Sequence, residues 1–188
     1  IAVVRCWEAD NSDRGFAALA LSELWSFADG GATAVVGPYA ATLSSWISKP
    51  EDGAYGFGYL LNSLWQEDPE LAERIVAAAD PGAIASACSN ADPDSAYGLS
   101  DLMRSVAHCK CEDFKDKFLT SLDRKKLRDF AGHDAFLRDA HGFSKFCASV
   151  VWWDKNLALD MAEAYIPTAQ QVLAEDPVKG FHQLSHEY

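Results

Sequence analysis

The chain has 188 residues, 49% of them hydrophobic, with six Trp, a formal net charge of −12 and a sequence pI near 4.7. That composition argues against disorder, and the acidity argues against general binding to phosphate backbones or anionic lipid, leaving a basic protein surface as the easier partner. No run of about eighteen apolar residues is available for a membrane-crossing helix, and Ile1-Ala2-Val3-Val4 is too short for the core of a signal peptide.

Residues 1–14 carry Cys6, Trp7 and a polar run in which Asp10, Asn11, Ser12 and Asp13 are candidate N-caps for a helix starting near Gly15. They read as the tail of a preceding repeat, and a start at Ile1 without Met suggests a piece of a longer polypeptide, although removal of a leader would look the same. Residues 15–28 read as a helix stopped by Asp29-Gly30-Gly31. Residues 32–36 have strand-like composition, yet they lead into Gly37-Pro38 and the helical pattern of 39–48, so a short helix is expected there. Asp68-Pro69-Glu70 opens a helix through 79, Asp80-Pro81 opens another through 90, and Asp92-Pro93 begins the link to Gly98. An Asp N-cap with Pro behind it is a strong start signal, and its charge suits the helix dipole. The same plan continues with helices expected over 112–122, 123–131 and 143–153, then 154–165 and 167–175 as two separate helices, and a link at Asp176-Pro177.

A repeat organises these elements. Gly98-Leu99 is followed by Leu102, Met103 and Val106; Gly56-Phe57 by Leu60, Leu61 and Leu64; Gly142-Phe143 by Phe146, Cys147 and Val150. Each set is one stripe of an α-helix. Gly15-Phe16, with Leu19 and Ala20 but Glu23 last, is a weaker copy, and Gly180-Phe181 ends as Leu184, Ser185, Tyr188. The glycine spacings are 41, 42, 44 and 38 residues, and a second marker holds Pro38, Pro81, Arg124 and Pro167 at steps of 43. The fold class expected is therefore all-α, an α-solenoid of about 40–44-residue units with two to three helices each, in the size class of HEAT and armadillo repeats. The units fall near 15–55, 56–97, 98–141 and 142–179, with a partial one at 180–188. A compact all-α bundle is the alternative.

Runs such as Tyr55-Gly56-Phe57-Gly58-Tyr59-Leu60-Leu61, Asp68-Pro69-Glu70-Leu71-Ala72-Glu73-Arg74-Ile75, Asp80-Pro81-Gly82-Ala83-Ile84 and Gly98-Leu99-Ser100-Asp101-Leu102 resemble the degenerate helical repeats C-terminal to the ATPase module of large bacterial STAND proteins, the signal-transducing ATPases with numerous domains. The similarity covers most of residues 50–188. It implies that the repeats act as the sensor, often for proteins of an infecting phage, while nucleotide binding and the effector lie elsewhere in the parent chain. No phosphate-binding loop, Gly-x-Ser-x-Gly or Gly-x-Gly-x-x-Gly occurs in this stretch.

The residues that invite chemistry have bland readings beside them. His108-Cys109-Lys110-Cys111, with Cys88, His133 and His141, offers zinc ligands, but Cys-x-Cys lacks the knuckle spacing and a second pair is missing. His182 and His186 share a helix face, but Gln183 stands where a zincin has Glu. Neither cluster leads to an assigned metal or other cofactor, and no catalytic residue is assigned. Five cysteines, an odd number, favour free thiols in a reducing compartment, so a cytoplasmic location is expected. Arg124-Lys125-Lys126-Leu127-Arg128 is a solvated helix face or a docking patch for an acidic partner. Trp152 and Trp153 cannot both face one side of a helix, so one of them is a candidate for exposure or for packing on the next unit. The function expected is a non-catalytic protein-binding array with Arg124, Lys125, Lys126, Arg128, Trp152 and Trp153 as candidate partner contacts, the partner being a protein such as a phage component. A structural or oligomerisation scaffold is the second reading, and an all-α metalloprotein or enzyme the third.

Overall fold

The computed structural model describes residues 14–92, 94–132 and 140–175, and all regular structure among them is helical. The expected tail at 1–13, His133, the side chain of His141, the Asp176-Pro177 link and the fifth copy at Gly180-Phe181 with His182 and His186 lie outside the described residues. In chain order the helices are α1 (Arg14–Leu24), α2 (Gly31–Val36), α3 (Ala40–Ile47), α4 (Ala54–Glu67), α5 (Pro69–Ala77), α6 (Pro81–Ser89), α7 (Ala96–Val106), α8 (Glu112–Ser121), α9 (Arg124–Ala131), α10 (Ala140–Val151) and α11 (Lys155–Glu175). Short 3₁₀ turns at Trp25–Phe27, Gly37–Tyr39 and Pro50–Asp52 join the first four. Among the described residues no helix is long and apolar enough to cross a membrane.

Aspartate caps set most of the helix starts after α4. Asp68 accepts the N–H of Leu71 at 3.0 Å to open α5, and Asp80 accepts the N–H of Gly82 at 2.9 Å to open α6. Asp123 accepts the N–H of Lys126 at 3.1 Å to open α9, and Asp154 accepts those of Asn156 and Leu157, both at 3.0 Å, to open α11. Each cap satisfies a donor that the first helical turn leaves without a partner. One expected break is missing. The separate helices read over 154–165 and 167–175 are one continuous α11 with Pro167 inside it, because position 166, in register with Asp80 and Asp123, holds Ile and has no side-chain acceptor to end the preceding turn.

The glycine-led helices form a row in which α1 packs on α4, α4 on α7 and α7 on α10. Of the remaining helices, α3 packs on α5, α6 on α8 and α9 on α11, while the short α2 packs on α1 and the flanking turns. Along the row the predicted stripes are the core: Phe57, Leu60, Leu61 and Leu64 of α4, Leu99, Leu102, Met103 and Val106 of α7, and Phe143, Phe146 and Val150 of α10 are buried. Burying each such side chain contributes about 1.5–3 kcal/mol. The first copy differs, since Ala17, Ala18 and Leu21 of α1 and Trp25 in the turn after it are buried while Phe16 is 70% exposed. Turning inward on that set leaves Glu23 in solvent, where a carboxylate on the Phe16 stripe would have been buried.

The repeat glycine is not the helix start. Gly56 and Gly98 are each the third residue of their helices, where the neighbouring backbone comes closest. A Cβ on Gly56 would stand 2.0 Å from the Gly15 carbonyl oxygen, one on Gly98 would stand 2.8 Å from the Tyr55 nitrogen, and one on Gly58 would stand 2.7 Å from the Asp101 carbonyl carbon. No side chain fits at those distances. Gly56→Ala should therefore lower stability by about 1–3 kcal/mol or more through overpacking. Gly132→Ala, where the nearest atom would be 3.7 Å from the new Cβ, should stay within about 0.5 kcal/mol of the parent. Urea unfolding midpoints check the pair, and equal effects would remove close approach as the reason for Gly56.

Candidate functional site

The C-terminal ends of α4, α7 and α10 carry an aromatic ladder. Trp65, near the end of α4, donates its indole N–H to the Ser105 carbonyl at 2.8 Å, and Trp153, just past α10, donates to the Met103 carbonyl at 3.0 Å. Both acceptors lie in the last turn of α7, so that helix end is held from both sides. Trp153 is half-buried and stacks on Phe118 with ring centroids 4.0 Å apart, while Trp152 is 62% exposed. Between Trp65 and Trp152 stands the exposed His108 ring, 5.8 Å from each. Trp65, His108, Glu70, Glu73 and Gln66 line a cleft of about 520 Å³.

The loop that presents His108 is fixed by Glu73, whose two carboxylate oxygens each lie 3.0 Å from the Lys110 N–H and one of which lies 3.3 Å from the Cys109 sulfur. This gives His108-Cys109-Lys110-Cys111 a structural task. Burial pushes the Cys109 thiol up to about 12, so at neutral pH it stays protonated and is a poor ligand or nucleophile. Cys88 and Cys147 are pushed to about 12 by the same cause. Cys88, Cys109, Cys111 and Cys147 are unpaired thiols, and among the described residues no three His, Cys, Asp or Glu side chains converge as a metal site.

The basic run is divided by its contacts. Arg124 pairs with Asp154, the residue after Trp153, which brings this part of the run next to the tryptophans. Lys126 donates to the Asn90 side-chain oxygen at 2.6 Å. Lys125 and Arg128 are exposed and have no hydrogen-bond or ion-pair partner among the described residues. Asp154 is held below the usual carboxylate range, first by the N–H of Leu157 and then by the Arg124 guanidinium. Asp68 is lowered in the same way by the Thr33 hydroxyl and the N–H of Leu71.

A second cleft, of about 590 Å³, opens at the other end of the row, between the N-terminal ends of α4 and α7 and the C-terminal end of α6. Tyr55 and Tyr97 face each other there with centroids 5.8 Å apart, and Glu51, Asp92 and Asp94 stand around them. The sequence carried a signal for this cleft, because a tyrosine immediately precedes the repeat glycine in both copies, Tyr55-Gly56 and Tyr97-Gly98.

Compared with protein-family models, with the curated proteins and with the solved structures, the chain finds no match. What the surfaces can do is therefore argued from their geometry alone. The ladder offers an exposed indole at Trp152 beside the His108 ring, which suits an aromatic or cationic side chain of another molecule.

Trp152→Ala should leave stability within about 0.5 kcal/mol, whereas Trp153→Ala should cost about 3 kcal/mol by removing a packed ring and its hydrogen bond. Denaturant titration distinguishes the two; equal losses would show that Trp152 is part of the core. Because the folded-state pKa values of Asp68 and Asp154 lie below their unfolded values, the stability these caps contribute is present above about pH 4 and is lost as pH falls through the folded values. The double variant Asp68→Asn/Asp154→Asn should be less stable at pH 7 and show a shallower decline of urea midpoint between about pH 4 and 2. An unchanged slope would remove these two carboxylates from the acid response.

Proposed function

We propose that this chain is a non-catalytic, protein-binding α-solenoid and that it serves as the ligand-sensing segment of a multidomain bacterial signalling ATPase acting in antiphage defence. The observation that carries the solenoid reading is the recurrence of contacts in register. The first helix of each 40–44-residue unit seats on the first helix of the next, and the third helix of one unit seats on the second helix of its successor, as α3 on α5, α6 on α8 and α9 on α11. Nearest-neighbour packing of this kind is how repeat arrays accumulate stability while presenting extended surfaces. The sensing role and the parent ATPase rest on the resemblance of the repeat runs, and a cytoplasmic location accords with the free thiols.

Exposed aromatic surface favours a binding array over a spacer. A scaffold needs only polar outer faces, yet this one shows Trp152 exposed beside the His108 ring and the Tyr55 edge in a cleft. Lys125 and Arg128, with no partner among the described residues, are the charges available to an acidic partner.

The test is affinity capture with this segment from lysate of infected and uninfected cells, using the parent chain and the variants Trp152→Ala and Lys125→Glu/Arg128→Glu. A protein retained after infection and reduced about tenfold or more by either variant is expected. Nothing retained by a folded, monomeric parent would sink the sensing reading in favour of the scaffold, and retention unaltered by the Lys125/Arg128 reversal would take the basic run out of the site.

A further inference from the structure

Helix α11 departs from its predecessors on its outer face. Leu159, Ile166 and Leu173 stand at steps of seven along it and are 57%, 51% and 38% exposed. In the 43-residue register Leu159 follows Glu73 and Asp116, and Ile166 follows Asp80 and Asp123. Two positions that carry acid in the earlier units thus carry large apolar side chains in this one. A step of seven keeps a stripe in line along a helix, as in the seam between two paired helices, and at about 1.5 Å of rise per residue this stripe runs about 21 Å.

Leu173 supplies a second, independent observation. Its counterparts, Ala87 of α6 and Phe130 of α9, are buried, on helices that seat on the second helix of the following unit. No such following helix lies among the described residues for the end of α11. Yet α11 is itself both kinds of helix, since it fuses the second helix expected over 154–165 with the third expected over 167–175. Laid antiparallel on another α11, the third-helix half of each copy meets the second-helix half of the other. The combination that the array uses between units then occurs twice, through the face that α9 leaves free.

We infer that the outer face of α11 is a homodimer seam, in which two copies of this chain pair antiparallel about a two-fold axis at Ile166, with Leu159 of each copy against Leu173 of the other. Charge sets the direction. A parallel pair would bring Glu163 against its own copy, whereas the antiparallel one sets it across from Ala169. It also brings Lys155, which has no hydrogen-bond or ion-pair partner among the described residues, toward the end of the other helix that carries Glu175. A single helix pair is at the small end of specific interfaces, below about 1,200 Å² in total, so the dimer should be of micromolar rather than nanomolar affinity. The seam does not use Trp152, Lys125 or Arg128 and stands apart from the sensing reading.

The experiment is sedimentation equilibrium of the folded segment from about 1 μM to about 1 mM. A reversible monomer–dimer equilibrium is expected for the parent. Leu159→Gln/Leu173→Gln, which adds no charge, should weaken it at least tenfold while leaving the urea midpoint of a dilute sample unchanged, and Trp152→Gln should leave the dimer as it is. Under glutathione-buffered oxidation Ile166→Cys should form a disulfide between copies, and Leu159→Cys mixed with Leu173→Cys should cross-link far more than either alone, each read against the cysteines of the parent. A parent that stays monomeric throughout, or a dimer indifferent to the glutamine variant, would overturn the seam. Cross-linking of Leu159→Cys to itself in place of the mixed pair would overturn the antiparallel arrangement.

Discussion

The constraint on which the rest of the structure depends is the backbone-to-backbone approach of successive row helices at glycine. At Gly15, Gly56, Gly58 and Gly98 no side chain separates one helix from the next. That proximity lets a serine hydroxyl reach across. Ser105, seven residues after Gly98, lies 3.1 Å from the carbonyl of Gly58, which is two residues after Gly56. Ser149, seven residues after Gly142, lies 2.9 Å from the carbonyl of Ser100, two residues after Gly98. Glycine near the entry and serine two turns later thus fix both the separation and the rotation of each pair. A buried hydrogen bond of this kind contributes about 1 kcal/mol net, and leaving its partner unsatisfied would cost more.

Alignment of the row decides where functional surface can form. Because the glycine is the third residue of both α4 and α7, the N-terminal ends of these helices come level, and Tyr55 and Tyr97, each one residue earlier, are brought face to face. At the opposite ends, Trp65 and Trp153 reach the last-turn carbonyls of α7 from either side. Trp152, next in the chain to the anchored Trp153, stays exposed. Both aromatic surfaces are by-products of the same register.

The sequence was most legible where a residue type has one physical use. The Asp caps, the buried stripes and the glycine period all follow from short-range rules, and the helices at 69–77, 81–89 and 124–131 begin where those rules place them. The role of the glycine was harder to see. Its place before an apolar stripe reads equally well as a helix boundary, and only the distance to the neighbouring backbone distinguishes the two uses. Phe16 was misplaced for a similar reason, since alternative faces of α1 have comparable apolar content and tertiary packing chooses between them. The ladder was half legible: Trp152 and Trp153 had to diverge, but the insertion of His108 between Trp65 and Trp152 depends on Glu73 holding a loop from a different helix. No local pattern encodes that contact.

The fused helix α11 shows which signal ends a helix in this chain. Proline stands at positions 81 and 167 and is missing at 124, yet the chain breaks before 81 and 124 and runs through 167. Proline is therefore not the deciding element. What the two breaks share is an aspartate, Asp80 or Asp123, whose carboxylate caps the new helix and whose own N–H is taken by a serine at the end of an earlier helix, Ser48 at 2.8 Å and Ser89 at 2.9 Å. In the third instance both parts are missing, with Ile166 in the cap register and Gly132, 43 residues after Ser89, in place of the serine. A cap contributes about 1 kcal/mol, an interior proline costs about 3, and a new break must also bear the unfavourable nucleation of another helix. Without the cap and its serine partner, opening the chain at 166 would expose uncapped ends on both sides, and carrying Pro167 inside one helix is the lesser penalty.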